Sequence, residues 1–278
     1  MSAKVLYTVS VIAFPNIDPV ALQLGPLAVR WYGLSYMTGI ALAWWLLHVR
    51  AKRPNSPWNT EEVADLVFYG AVGAVIGGRL GYVLFYNLAA YVADPVSILK
   101  VWQGGMSFHG GLLGLFVAVG WFKRMSGKPY WVIADFLTPA GPIGLFFGRI
   151  ANFVNQELWG APSNLPWAVV FTNVDDVPRH PSQLYEAVLE GLLLFFVLKA
   201  FSRRPRPAGS IMGLFLVGYG LIRFTIEFVR APDDHLGYLA FDWLTMGQVL
   251  SIPMMMVGAW LVVASYRRAP TGIVGGKG

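Results

Sequence analysis

Three arginines, Arg79, Arg149 and Arg223, stand inside long apolar blocks of this chain. A guanidinium near a bilayer centre costs at least about 2.5–3.5 kcal/mol on insertion scales. Each one therefore calls for a carboxylate, an anionic ligand or water beside it. Helical spacing gives two of them company. Tyr219, Arg223, Glu227 and Arg230 fall at i, i+4, i+8 and i+11, one face of a helix. Arg149, Asn152 and Gln156 fall at i, i+3 and i+7, a polar stripe with Glu157 adjacent. Within an apolar block such a stripe faces a bundle interior or a cavity.

The chemistry open to these residues is narrow. Arginine's planar fork bonds two phosphate oxygens at once and can offset charge on a leaving phosphate. His109 is a group that can take a proton near neutral pH, and Tyr32 adds a hydroxyl. Structural readings stand beside these. Arg223 and Glu227 could form an internal ion pair, and Arg79, with Tyr82 and Tyr86 at i+3 and i+7, suits packing or gating as well as ligand contact. Gly110, Gly111 and Gly114 can serve close helix packing alone.

Other chemistries are excluded or disfavoured. The chain has no cysteine, so disulfides, thiolate zinc sites and a cysteine nucleophile are out, and any thiol arrives with a substrate. His48, His180 and His235 have no metal-ligand partners at useful spacing, so no metal site is expected. No Gly-x-Ser-x-Gly elbow, Walker loop or His-Glu-x-x-His is present, which argues against a serine hydrolase, a nucleotide-driven pump and a zinc protease.

These residues need elements to hold them. Of 278 residues, 56% are apolar and 13% charged, about half the charge of an ordinary soluble domain. The apolar residues come in blocks near the length of a membrane span. Seven are expected, over 28–50, 62–86, 109–122, 134–158, 182–199, 209–229 and 245–266, the third starting a few residues earlier, near Gly104. Basic clusters follow every second span, at Arg50, Lys52 and Arg53; Lys123, Arg124 and Lys128; Lys199, Arg203, Arg204 and Arg206; and Arg267 and Arg268. The net charge of +6 is thus membrane orientation rather than a nucleic-acid surface. The N-terminus is then outside and the C-terminus cytoplasmic.

The remaining segments are short. An apolar stretch over 5–14 is too short to span, and an interfacial arm lying on the membrane is expected there in preference to the alternative, a cleaved signal peptide. The junctions 87–103 and 159–181 are expected to form an outer arm and a small extracytoplasmic head. The fold class is an all-α integral membrane protein, a single polytopic domain over 1–278. In it Arg79, Arg149 and Arg223 sit about 20–25 Å into their helices at the ordinary helical rise, level with His109 and Tyr32 in the outer leaflet. Residue types alone lead to a membrane protein binding a lipid phosphate, an enzyme or an anionic phospholipid transporter or flippase.

One stretch is more specific. Gly148, Arg149, Asn152, Phe153, Asn155, Glu157 and Gly160 fill every fixed position of Gly-Arg-x-x-Asn-Phe-x-Asn-x-Glu-x-x-Gly. This resembles the signature of the prolipoprotein diacylglyceryl transferase family. Further segments similar to that family follow in order: 30–34, 77–87, 105–111, 179–186, then Gly218, Tyr219 and Gly220, Arg223 and Phe224, and Glu227 and Phe228. The likeness covers 15–268 and departs only in a short outer head between Gly160 and Arg179.

The resemblance implies seven transmembrane helices in the bacterial inner membrane, with no metal, nucleotide or other cofactor. It implies phosphatidylglycerol as donor, the lipobox cysteine of a prolipoprotein as acceptor, a thioether product and glycerol phosphate as leaving group. By motif position, the residues relied on are His109, Arg149, Arg223 and Glu227 for catalysis. Asn152, Tyr32, Glu157 and Gly160 join the two arginines in binding the head group. In this reading His109, or a base coupled to it, helps deprotonate the cysteine, and Glu227 orients Arg223.

Overall fold

The computed structural model describes residues 12–15, 17–25, 27–54, 56–232 and 237–268. In chain order the strands and helices are β1 (Ile12–Ala13), β2 (Val20–Leu24), β3 (Leu27–Arg30), α1 (Trp31–Ala51), α2 (Thr60–Tyr86), α3 (Leu88–Ala93), α4 (Phe108–Ser126), α5 (Tyr130–Leu137), α6 (Gly141–Val154), β4 (Val169–Val170), β5 (Pro178–Arg179), α7 (Ser182–Glu186), α8 (Leu194–Phe201), α9 (Ser210–Ile226) and α10 (Met246–Arg268). A 3-10 turn, Thr138–Ala140, joins α5 to α6, and a π-helical stretch, Ala187–Leu193, joins α7 to α8. The chain is mostly helical. Among the described residues, three helical runs are long and apolar enough to cross a membrane: Thr60–Tyr86, Tyr130–Val154 and Met246–Arg268. Their outward faces carry exposed apolar side chains such as Leu84, Phe85, Met256 and Trp260, as lipid contact requires.

Boundaries differ from expectation where local chemistry overrides hydropathy. The first helix starts at Trp31, because residues 27–30 pair with β2 in an antiparallel hairpin. The third starts at Phe108 rather than near Gly104, since Ser107 caps it by accepting from the Gly110 N–H at 3.2 Å. The helix expected over 134–158 ends at Val154, and Gln156 and Leu158 then take left-handed φ values of 55° and 57°. Gln156 thus leaves the stripe begun by Arg149.

The contacts divide the chain into two compact units: Met1–Ala43 with Thr138–Gly278, and Trp44–Leu137. In the second, α2 and α4 pack through glycine. A Cβ on Gly114 would stand 2.0 Å from the Gly73 carbonyl oxygen, and one on Gly110 2.4 Å from that of Gly77. Small residues are what let apolar helices approach so closely in a bilayer. At the other end of α2, Asn59 and Glu62 form a reciprocal capping box, and Lys128 pairs with Glu62.

Within the first unit, α9 packs along α10, and α6 against the π-helical stretch. A small sheet runs β1-β4-β5, with β1 parallel to β4 and β4 antiparallel to β5. Its core is Phe14, Val169 and Phe171, with Phe153 packed against it. Of the N-terminal stretch expected to lie on the membrane, 5–11 falls outside the described residues. Ile12 and Ala13 are strand, and Phe14 is buried against Phe171, with ring centroids 5.8 Å apart.

Candidate active site

The first unit contains a buried chain of alternating charges. Arg149 on α6 reaches Glu190 (Nη2 to Oε2, 3.1 Å) and Glu186 (Nε to Oε2, 3.3 Å). Arg223 on α9 meets the other Glu186 oxygen (Nη1 to Oε1, 2.5 Å) and also Glu227 (Nη2 to Oε1, 2.5 Å). Arg230 also pairs with Glu227 Oε1, at 3.1 Å. One carboxylate, Glu186, therefore holds guanidinium groups from two different helices, one on each oxygen. The glutamates lie behind the arginines: the Glu186 and Glu190 side chains are 0% exposed, while Arg149 and Arg223 keep 15% and 14%. The Tyr219 hydroxyl is within electrostatic range of Arg149, Arg223, Glu186 and Glu190.

Each piece has a local cause. Arg223 and Glu227 are one turn apart, so they pair within their own helix end. The internal-pair reading of these two is what the structure contains, joined to a wider row. Glu186 immediately precedes the π-helical stretch and Glu190 lies within it, a widening associated with functional sites. Gly191 lets this stretch lie against α6; a Cβ there would stand 2.7 Å from Phe146 Cβ. Glu227 sits at the start of α10. It accepts from Thr245 Oγ1 at 2.5 Å, and Thr245 and Gln248 cap the helix reciprocally, at 3.3 and 2.9 Å. A carboxylate there is favoured by the helix dipole.

The signature segment after α6 is a pinned loop. Glu157 N–H donates to the Asn152 carbonyl at 2.8 Å, and Gln183 Nε2 to the Glu157 carbonyl at 2.6 Å. Two left-handed residues cost on the order of 1–3 kcal/mol each, offset by these bonds. The Glu157 carboxylate is exposed and accepts from Asn152 Nδ2 at 3.2 Å. Tyr32, bonded to the Tyr36 hydroxyl at 3.3 Å, is in electrostatic range of both Glu157 and Arg149. Gly160 is buried at a crossing of three backbone segments. Its N–H donates to the His180 carbonyl at 2.9 Å, and a Cβ would stand 2.7 Å from the Val229 carbonyl oxygen.

The structure thus brings together Arg149, Arg223 and Glu227, and separately gathers Asn152 and Glu157, with Tyr32 in range of that group. His109 lies in the Trp44–Leu137 unit, exposed in the first turn of α4. Arg79, in the same unit, is held by backbone carbonyls rather than by a carboxylate among the described residues. Its guanidinium donates to the backbone carbonyls of Ile98, Gly104, Gly105, Ser97 and Lys100 at 2.5–3.3 Å and lies over the Tyr91 ring. It ties the arm after α2 back to that helix, a packing role.

Sequence reasoning missed Glu186, Glu190 and Thr245. The signal was there: two glutamates at i, i+4 inside an apolar block obey the same rule that singled out the arginines. His235 lies outside the described residues.

Comparison with known proteins shows which family the chain resembles. The family model described as prolipoprotein diacylglyceryl transferase matches residues 19–264. A phosphatidylglycerol–prolipoprotein diacylglyceryl transferase of Pseudomonas paraeruginosa is 56% identical over 257 residues, covering 92% of this chain and 97% of that protein. One of Solidesulfovibrio magneticus is 56% identical (92% and 96% covered), and one of Methylococcus capsulatus 55% (92% and 98%).

Proposed function

The chain belongs to the prolipoprotein diacylglyceryl transferase family, and from that premise we propose that it transfers the diacylglyceryl group of phosphatidylglycerol to the lipobox cysteine of prolipoproteins. The cysteine sulfur attacks the glyceryl carbon that bears the phosphate. A carbon–sulfur bond forms, the carbon–oxygen bond breaks, and its electron pair leaves on glycerol phosphate. The thiol proton passes to a base, a role we give to His109 or a group coupled to it. A free thiol, with a pKa near 8.5, is only a few per cent thiolate at neutral pH, so such help matters.

The observation that carries this reading is the grip of Arg149 and Arg223 on opposite oxygens of Glu186. Two guanidinium groups spaced to share one carboxylate are spaced to share one phosphodiester, and their edges are the exposed part of the row. There they hold the head group and offset charge on the departing phosphate. Glu227 positions Arg223; Asn152, Glu157 and Tyr32 position the glycerol, and Gly160 holds the loop that presents them. The membrane arrangement we propose is seven spans in the bacterial inner membrane, N-terminus outside, C-terminus cytoplasmic. An outer arm lies near 87–103, a head near 159–181, and the site in the outer leaflet.

The test is mass analysis of a lipobox peptide incubated with purified protein and phosphatidylglycerol. A diacylglyceryl mass gain is expected. Lipid movement between leaflets without a mass gain would instead indicate a flippase.

A further inference from the structure

We propose that Glu190 takes up one proton when a lipid phosphodiester settles on Arg149 and Arg223, and releases it when the phosphate product leaves. The inference rests on the phosphate-binding reading above and adds a proton balance to it.

The argument begins with charge. Among the described residues, three arginines, Arg149, Arg223 and Arg230, face three glutamates, Glu186, Glu190 and Glu227, so these six groups balance one another when all are ionised. The glutamates are 0–3% exposed. An arriving phosphodiester adds one negative charge where water cannot disperse it. Uncompensated buried charge is expensive, and a carboxylate next to a new anion relieves the cost by taking a proton.

Contacts with the arginines select which carboxylate. Glu186 has an arginine beside each oxygen, since its Oε2, which accepts no hydrogen bond among the described residues, still lies 3.3 Å from Arg149 Nε, and Glu227 holds two arginines and the Thr245 hydroxyl. Glu190 meets a single arginine, through Oε2 alone; its Oε1 is buried and has no hydrogen-bond partner among the described residues. A proton on Oε1 therefore breaks no existing contact, and Oε2 can go on accepting from Arg149. The charged and titratable groups facing Glu190 are Arg149 from α6, Tyr219 and Arg223 from α9, and Glu186 from its own segment. Lipid binding withdraws some arginine attraction from Glu190 at the moment it adds repulsion. Both changes favour the protonated form.

The experiment is equilibrium binding of phosphatidylglycerol to the full chain in detergent micelles across a pH series, without peptide, so that thiol ionisation plays no part. Wild-type affinity is expected to weaken as pH rises, approaching about tenfold per pH unit for one linked proton. Glu190→Gln, a neutral isostere, is expected to bind with a flat pH profile. Infrared difference spectra of wild type should gain a protonated-carboxyl band on adding lipid. Glu190→Gln should show none, and the wild-type spectrum decides the matter if that variant fails to fold. Tight wild-type binding with no pH slope and no carboxyl band would overturn the proton role and leave the phosphate reading intact. Absence of any binding by wild type would sink both.

Discussion

A Cβ placed on Gly247 would stand 2.5 Å from the Cδ of Glu227, so the α10 backbone and this carboxylate fill adjoining space with nothing between them. A lone glutamate tip could swing aside. This one is tied by Arg223, Arg230 and Thr245, so it has nowhere to go without breaking a contact that aims Arg223.

Gly247→Ala is therefore expected to lose most transfer activity and about 1–3 kcal/mol of stability, the usual cost of overpacking a filled site. Thermal unfolding in detergent and peptide mass gain measure the two. Wild-type values in both would show that Glu227 is free to move.

Glu186→Gln keeps the shape of the bridge but removes its charge. Breaking a buried pair from one side costs about 3–5 kcal/mol, felt here as loss of the spacing between Arg149 and Arg223. Transfer should fall by two orders of magnitude or more, at about 1.4 kcal/mol per tenfold. A rate within about threefold of wild type, about 0.65 kcal/mol on the same scale, would mean the arginines are positioned without it.

Much of this site was legible in the sequence, and for a physical reason. Charge in an apolar block is costly, so Arg149, Arg223 and Glu227 stood out, and the seven-residue signature named the family. Glu186 and Glu190 obey the same rule but lie on a segment whose π turn changes which side chains face α6, a feature hydropathy does not record. The end of α6 was misjudged because the residues after Val154 are apolar or helix-compatible. What holds the chain out of the helix is a pair of hydrogen bonds with distant partners: the Gln183 side-chain amide donates to the Glu157 carbonyl, and the His180 carbonyl accepts from the Gly160 N–H. Arg79 was ambiguous because its partners are carbonyls, which every residue carries.

In the segment between α6 and α7, the Arg179 guanidinium, bonded to Asp175 at 2.5 Å, holds that carboxyl below its ordinary value of 3.8, with the Val177 N–H assisting. A lowered carboxyl contributes stability above its ordinary value and loses it as pH falls through the lowered one. The pair is partly exposed, so the effect is small. Asp175→Asn should therefore lower the melting temperature slightly near neutral pH and converge with wild type in acid. Equal melting curves at all pH values would remove any role for the pair.

His109→Gln is expected to slow transfer while leaving phosphatidylglycerol binding intact, with the deficit shrinking as pH rises toward the thiol's own ionisation. An unchanged rate and pH profile would end the general-base role.

The most direct measurement is peptide mass gain by Arg149→Ala and Arg223→Ala, each confirmed as folded by its melting temperature. Both variants are expected to lose transfer, because either arginine alone leaves half of the phosphate ungripped. Full activity in both, with the fold intact, would contradict the account at its centre.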